Sequence, residues 1–368
     1  MRAEIQPNLR IRRSRNTGPW LVMAAALVCL GPTGCHSSRT LPDAVPAEAK
    51  GTTLAQREVE SIADDYLSAL LEYRPELGTQ YSLTGARHDR LADHSPEALA
   101  AWQAREDAWL AELDARGVPA QVGSRDWVTY GILHETLASS VAIRVCRNEL
   151  WAASSMTGWH RSVPSLFEIQ PVDTPELQRQ ALQRLAALPK YIDVQIANLR
   201  RGLESGYSAP RLTVAPAVSE VRALAGADSP LLSPGQRAGD AKFAAEVQAL
   251  FKSNIAPAVE RFALFLEAEY LPRARTDIGL SFNPDGAACY PALVRYFATI
   301  QPAASEIHRL GLEQVAGIRA EMQAIIDGHF AGATIEAFLR GLNDDPKFTF
   351  RTEDEVLQYS VAALARAR

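Results

Sequence analysis

The chain has 368 residues, 47% of them hydrophobic and 22% charged, enough apolar material for a sizeable core and far from a disordered or collagen-like composition. Its formal charge of −5 is unevenly spread: Arg2, Arg10, Arg12, Arg13 and Arg15 face Glu4 alone in the first 34 residues, leaving 33 basic and 42 acidic residues beyond them. A body this acidic, with no basic stripe, excludes nucleic acid as a partner, because such binding rests on neutralising phosphates.

The first predicted element is a targeting segment. Trp20 to Leu30 form a short apolar run behind the arginines, the pattern of a secretory signal peptide, whereas a spanning helix needs about 20 apolar residues. The run ends in Gly31-Pro32-Thr33-Gly34-Cys35, which resembles a bacterial lipobox: small residues before a cysteine that is acylated and becomes the new N-terminus. Pro32 stands where leucine is usual, and Cys29, preceded by Val28 inside the run, fits less well. Residues 1–34 therefore read as a lipoprotein signal peptide and Cys35 as the lipidation site. The mature protein is expected at the periplasmic face of the cell envelope, with the membrane as a partner through its lipid. His36 in place of aspartate after the cysteine favours the outer membrane. Residues 35–52, rich in Ser, Pro and Ala and without periodicity, read as a flexible tether, and 53–368 as one helical domain. Export places Cys146 and Cys289 where disulfides are permitted. The sequence leaves their pairing open, with two separate buried thiols the simpler reading.

Beyond the tether the apolar spacing is helical. Helices are expected near 54–73, 96–116 and 124–149. Glu176 to Leu203 carries Leu185, Leu188, Ile192, Ile196, Leu199 and Leu203 on one stripe, capped by Thr174 and Pro175, with a kink or break at Pro189. Arg211 to Val218 is the best candidate for an extended piece, confined to an edge by Pro210 and Pro216. Asp240 to Tyr270 is a long helix with Phe243, Val247, Phe251, Ile255, Phe262 and Leu266 inward and an interruption at Pro257. Shorter helices follow near 287–300 and 333–341. Between them Glu306 to Asp327 is helical, with Ser305 placed to cap it and Gly328 to stop it. Thr352-Glu353-Asp354-Glu355 is a capping box that opens a last helix carrying Val356, Leu357, Val361 and Leu364. The expected fold class is all-α: packed, partly kinked long helices with minimal β-structure.

Motifs for chemistry are sparse. A helical zinc site needs two imidazoles four residues apart; His134-Glu135 begins such a motif, but Ala138 occupies the second position. His88 and His94, with Asp89 between them, offer a loop site, for which solvated loop side chains are the simpler reading. There is no Gly-x-Ser-x-Gly, and the adjacent carboxylates Asp64-Asp65 and Asp344-Asp345 do not converge on one helical face.

Several separated stretches carry a family resemblance. They are Arg74-Pro75-Glu76-Leu77-Gly78-Thr79 with Asp89-Arg90-Leu91 and Ser95-Pro96-Glu97-Ala98; Tyr270 to Arg275 with Gly279 and Pro284-Asp285-Gly286; Glu306 to Leu312; and Asp345-Pro346-Lys347-Phe348. In order and spacing they resemble the bacterial domain-of-unknown-function 885 family. That resemblance implies a mostly helical exported lipoprotein similar to thermolysin-type zinc peptidases, with the metal segment downstream of Asp345-Pro346-Lys347-Phe348. The chain is expected to correspond to the N-terminal part of the family and to stop before that segment. No catalytic or metal residue is then expected here, and zinc is expected only in a full-length member. A peptide substrate in such a channel would need donors, for which Arg273, Arg275, Tyr290 and His308 are the lining candidates. The competing reading is a non-catalytic envelope binding or structural lipoprotein; a third is a metal-independent hydrolase.

Overall fold

The computed structural model describes residues 54–330, 332–346 and 348–367. Cys35, the signal segment and the tether lie outside the described residues. Among the described residues the fold is all α, with one isolated bridge between Pro210 and Arg275 in place of any sheet.

The main core forms around α5 (Trp159–Glu168), α6 (Pro175–Glu204), α7 (Arg211–Ala223), α9 (Ala241–Leu250) and α10 (Ala256–Phe265). Every expected stripe residue of α6 is buried, and Thr174 accepts the Leu177 N–H at 3.3 Å as its cap. Each such Leu or Ile contributes roughly 1.5–3 kcal/mol, which is why this helix holds the domain together. It runs through Pro189 without a break, because the buried Leu188 and Ile192 on either side fix both flanks.

Arg211 to Val218 is helical, not extended. Val214, Ala217, Val218 and Val221 are all buried, an i, i+3, i+4, i+7 spacing that the two prolines mask. Pro210 precedes the helix, and Pro216 withholds its hydrogen bond from the carbonyl of Leu212, a residue on the solvent side.

The segment from Asp240 to Arg273 winds continuously but changes pitch. Asp240 caps α9 by accepting from Lys242 and Phe243. A π-turn at Phe251–Ile255 then sits just before Pro257, and a second at Leu266–Tyr270 just before Pro272. The wider i→i+5 bonds, Ala256 N–H to Phe251 and Leu271 N–H to Leu266, splay the backbone where a proline ring would otherwise meet a carbonyl. The expected interruption is thus a change of turn.

A second apolar cluster joins α1 (Leu54–Tyr73), α3 (Pro96–Arg116) and α4 (Arg125–Ile143) through Val59, Ile62, Leu113, Tyr130, Leu133 and Leu137. The connecting segment, which includes the short α2 (Glu76–Gln80), is pinned to α6 by the fully buried Arg184. Its Nε donates to the Arg90 carbonyl at 2.8 Å, and its Nη1 to Thr79 Oγ1 at 2.8 Å and Gln170 Oε1 at 2.6 Å. Burial brings its pKa down to about 10. The short α8 (Ser233–Arg237) packs on α9.

Cys146 and Cys289 are bonded, with Cα atoms 4.8 Å apart, so the reading of two separate thiols is corrected. The two cysteines are 143 positions apart in the chain, and the fold alone brings them together. The bond ties the turn after α4 to α11 (Gly286–Ala298).

α12 (Ala304–His329), α13 (Ile335–Asp344) and α14 (Glu353–Ala367) follow. Ser305 does not cap α12: the helix starts one residue earlier, after Ala303, without a side-chain cap. It also runs past Gly328, and the left-handed position falls at Gly332. Thr352 caps α14 as its sequence predicts, accepting the Glu355 N–H at 3.2 Å. Val315, Ile318 and Ile325 of α12, and Val356, Leu357, Val361 and Leu364 of α14, are exposed.

Candidate ligand-binding cleft

A cleft of about 620 Å³ opens where the two apolar clusters and α11 meet. Its walls follow from helical spacing: Tyr66, Leu70 and Tyr73 from α1; Leu99, Trp102, Gln103 and Glu106 from α3; Thr136, Ser140 and Ile143 from α4; Tyr191, Gln195 and Asn198 from α6; Leu293, Tyr296 and Phe297 from α11. Each set recurs at three or four residues, so each helix turns one face to a core and an adjoining face to the cleft.

The walls are held in place by polar contacts. Glu106, only 3% exposed, accepts from Ser140 Oγ at 2.6 Å and Arg144 Nη2 at 2.9 Å. Arg144 also reaches Asp107 at 2.7 Å, so one guanidinium locks α3 to the end of α4. Bidentate bonds of 2.9 and 2.7 Å from Arg295 to Glu135 lock α4 to α11, and the Arg295 guanidinium holds the Glu135 carboxyl below its ordinary pKa.

Aromatic rings form much of the surface. Tyr73 stacks on Trp102 at 4.6 Å with planes 2° apart, and Tyr66 leans on the same indole at 6.0 Å. Burial pushes the Tyr66 phenol up to about 12 and raises Tyr73 and Tyr191 as well. These phenols therefore stay neutral at pH 7.

Arg147 is the strained position of the cleft, at φ 45° and ψ 45° without being glycine. Such a residue carries about 1–3 kcal/mol of backbone strain. It is fixed by short helical turns on both sides, by the neighbouring disulfide and by its own bond to Glu149 at 3.0 Å. The turn containing Leu150 rests directly on Gly202 of α6, where a Cβ would fall 1.9 Å from the Leu150 carbonyl oxygen. Glycine is required there by closeness of approach.

The sequence-derived candidates fall as follows. His88 is buried, not solvated: its Nδ1 meets Thr79 Oγ1 at 2.8 Å, and Asp89 pairs with Arg87. His94 lines the cleft, with Nδ1 2.8 Å from the Gln195 amide and its carbonyl accepting from Asn198 at 2.9 Å. Burial lowers the pKa of both histidines and keeps them neutral at pH 7. The solvated-loop reading is thus corrected, since both rings anchor the connecting segment to the body of the fold.

Arg275 is spent on carbonyls, donating to Ser208 at 2.8 Å and to Asp277 and Gly279 at 2.6 Å each, and Arg273 donates to Leu203 at 3.1 Å. Tyr290 and His308 are exposed, on α11 and α12. These four are not brought together at the cleft. Tyr66, Tyr73, Trp102, Glu106, Arg144 and Tyr191, which do form it, had one sequence signal: aromatic and polar residues at helical spacing beside an apolar stripe.

Among the described residues, no three or more His, Cys, Asp or Glu side chains converge on a metal-sized space. His134 is hydrogen-bonded to Asp114 at 2.9 Å, and Glu135 is held by Arg295. What the cleft offers is a rigid, aromatic, part-polar surface suited to binding.

Comparisons with known proteins agree with this architecture. The sequence profile of a family described as "Bacterial protein of unknown function (DUF885)" matches residues 75–368. Among solved structures, the fold is similar to one described as "the putative lipoprotein from Colwellia psychrerythraea", with a TM-score of 0.69 and 15% identity over 84% of this chain and 58% of that one. The chain thus spans 58% of that protein's length, and at 15% identity the likeness is one of fold. No curated protein matches the sequence.

Proposed function

The chain belongs to the bacterial protein family of unknown function DUF885, and on that premise we propose that it is the peptide-receiving part of an exported, peptidase-like lipoprotein. The observation that carries this reading is the cleft. A peptide presents carbonyls, amides and side chains of mixed polarity, and the cleft meets them with stacked aromatic rings, phenols and amides on walls fixed before any ligand arrives. On this reading the cleft binds peptide and does not itself hydrolyse it. The exposed apolar residues of α12 and α14 suit a surface that further polypeptide covers.

Anchoring completes the reading. No helix among the described residues is long and apolar enough to cross a membrane, and the lipid on Cys35 supplies attachment at the outer membrane. Cys35→Ala should release the protein from membrane fractions, and unchanged association would remove the anchor from the proposal. The binding part is tested with fluorescein-labelled hexapeptides of mixed sequence, followed by polarisation. Binding lost in Trp102→Ala but kept in Leu357→Ala supports the cleft; absence of binding in the wild type overturns the peptide reading. Hydrolysis of those peptides, abolished by a chelator, would overturn its non-catalytic half.

A further inference from the structure

The charges around the cleft do not balance, and the imbalance names a ligand chemistry. Three arginines line it, Arg74, Arg144 and Arg147, against two glutamates. Arg144 is matched with Glu106 and Arg147 with Glu149. Arg74 makes no side-chain hydrogen bond or ion pair among the described residues; only its backbone is engaged, the N–H with Leu70 and the carbonyl with Leu77.

Nearby carboxylates are occupied elsewhere. Glu76 accepts the Ala92 N–H at 2.6 Å, Asp93 accepts the Ser95 N–H at 2.8 Å, and Glu72 lies 3.8 Å from Arg105. The Arg74 charge is nonetheless felt inside the cleft. Burial raises the pKa of Tyr66, Tyr73 and Tyr191 and lowers that of His94; the Arg74 charge opposes the first three shifts and adds to the fourth. Arg74 shares the cleft wall with these groups from α1, the loop before α3 and α6.

Arg74 lines the cleft together with Tyr66, Tyr73 and Trp102, so its cation shares that space with aromatic surface.

We propose that the cleft selects ligands that join a carboxylate to an aromatic group, with Arg74 binding the carboxylate and the aromatic rings receiving the other end. The proposal rests on the peptide reading above and deepens it. In a peptide the carboxylate comes from the C-terminus or from an acidic side chain, and Arg74 recognises the chemistry they share.

The experiment is calorimetric titration of the full chain in mild detergent with N-acetyl-Ala-Phe acid, its C-terminal amide, and N-acetyl-Glu-Phe amide. The acid should bind about tenfold more tightly than the amide, the scale of one charge-assisted bond. Arg74→Gln should remove that difference by weakening the acid alone, with an unchanged melting temperature, since Arg74 lies on the surface. Tighter binding of the Glu-Phe amide than of the Ala-Phe amide, again lost in Arg74→Gln, would support the carboxylate role with a side chain as its source. Equal binding of all three probes would overturn the role of Arg74 while leaving the peptide reading intact. Binding of none would overturn both.

Discussion

Gly202 offers the sharpest test of how the cleft is built. In Gly202→Ala the new methyl would lie 1.9 Å from the Leu150 carbonyl oxygen and 2.8 Å from its carbon, both backbone atoms that no rotamer change can move aside. To reach an ordinary contact of 3.4 Å the turn must withdraw by about 1.5 Å, and that turn is held by a disulfide four positions earlier. Overpacking of this kind costs about 3 kcal/mol, and alanine returns about 1 kcal/mol as the better helix former. The net expectation is a loss of about 2 kcal/mol, a fall in melting temperature of roughly 3 °C for a domain of this size. Thermal unfolding followed by circular dichroism at 222 nm reads it directly. Gly311→Ala, within α12 and with nothing within 4 Å of the new methyl, is the control. It should hold or raise the melting temperature, because only the propensity gain of about 1 kcal/mol remains. Since Asn148 and Glu149 belong to the displaced turn, Gly202→Ala should also weaken ligand binding. A Gly202→Ala protein that melts with or above the wild type would refute the close approach and the rigidity inferred from it.

Other expectations follow from the same contacts. Reduction of Cys146–Cys289, or Cys146→Ser, should lower stability by about 2–5 kcal/mol because the closed loop is long; reductant should shift the melt of the wild type and leave that of Cys146→Ser unmoved. His88 and His94 have depressed pKa values in the fold, so the unfolded chain takes up protons first as pH falls. Their contribution is complete above the unfolded value of about 6.5 and is lost as pH drops through the folded values. Urea midpoints should therefore fall between pH 7.5 and 5.5, and a flat profile would contradict the burial of these rings. The exposed Val, Ile and Leu side chains of α12 and α14 should make the chain bind hydrophobic dyes and self-associate; a monomer by sedimentation with no dye response would remove that reading.

The core was legible where packing and periodicity agree. Leu185 to Leu203 repeat at three and four, and Thr174 marks where the helix begins, so α6 could be drawn from residues alone. Val214 to Val221 carry the same spacing, but Pro210 before them and Pro216 among them resemble strand-edge punctuation, and only the burial of four side chains decides for a helix. The cleft was hidden for a different reason. Tyr73, Trp102 and Glu106 sit on second faces of amphipathic helices, and in one dimension a second face facing a cavity looks the same as one facing water. Arg275 shows the converse: its charge suggested a ligand, whereas the fold uses it to satisfy three carbonyls. Neither long-range pairing, Glu135 with Arg295 or Cys146 with Cys289, leaves a local trace.

The two wide turns between Ala241 and Arg273 bear on how this chain can change length. A π-turn is one residue more than an α-helix needs, taken up locally while the flanks stay in phase. Phe243 and Val247 before the first turn, and Val259 and Phe262 after it, are all buried, as continued phase requires. Losing one exposed residue such as Ser253 would return the segment to α-helical bonding without rotating either flank out of the core. Pro257 would then meet a regular turn and kink it. A shortened helix should thus be tolerated when Pro257 is replaced in the same step, and poorly when it is not. Residue 253 and residue 257 form a single unit of variation, in which a deletion and a substitution are viable as a pair.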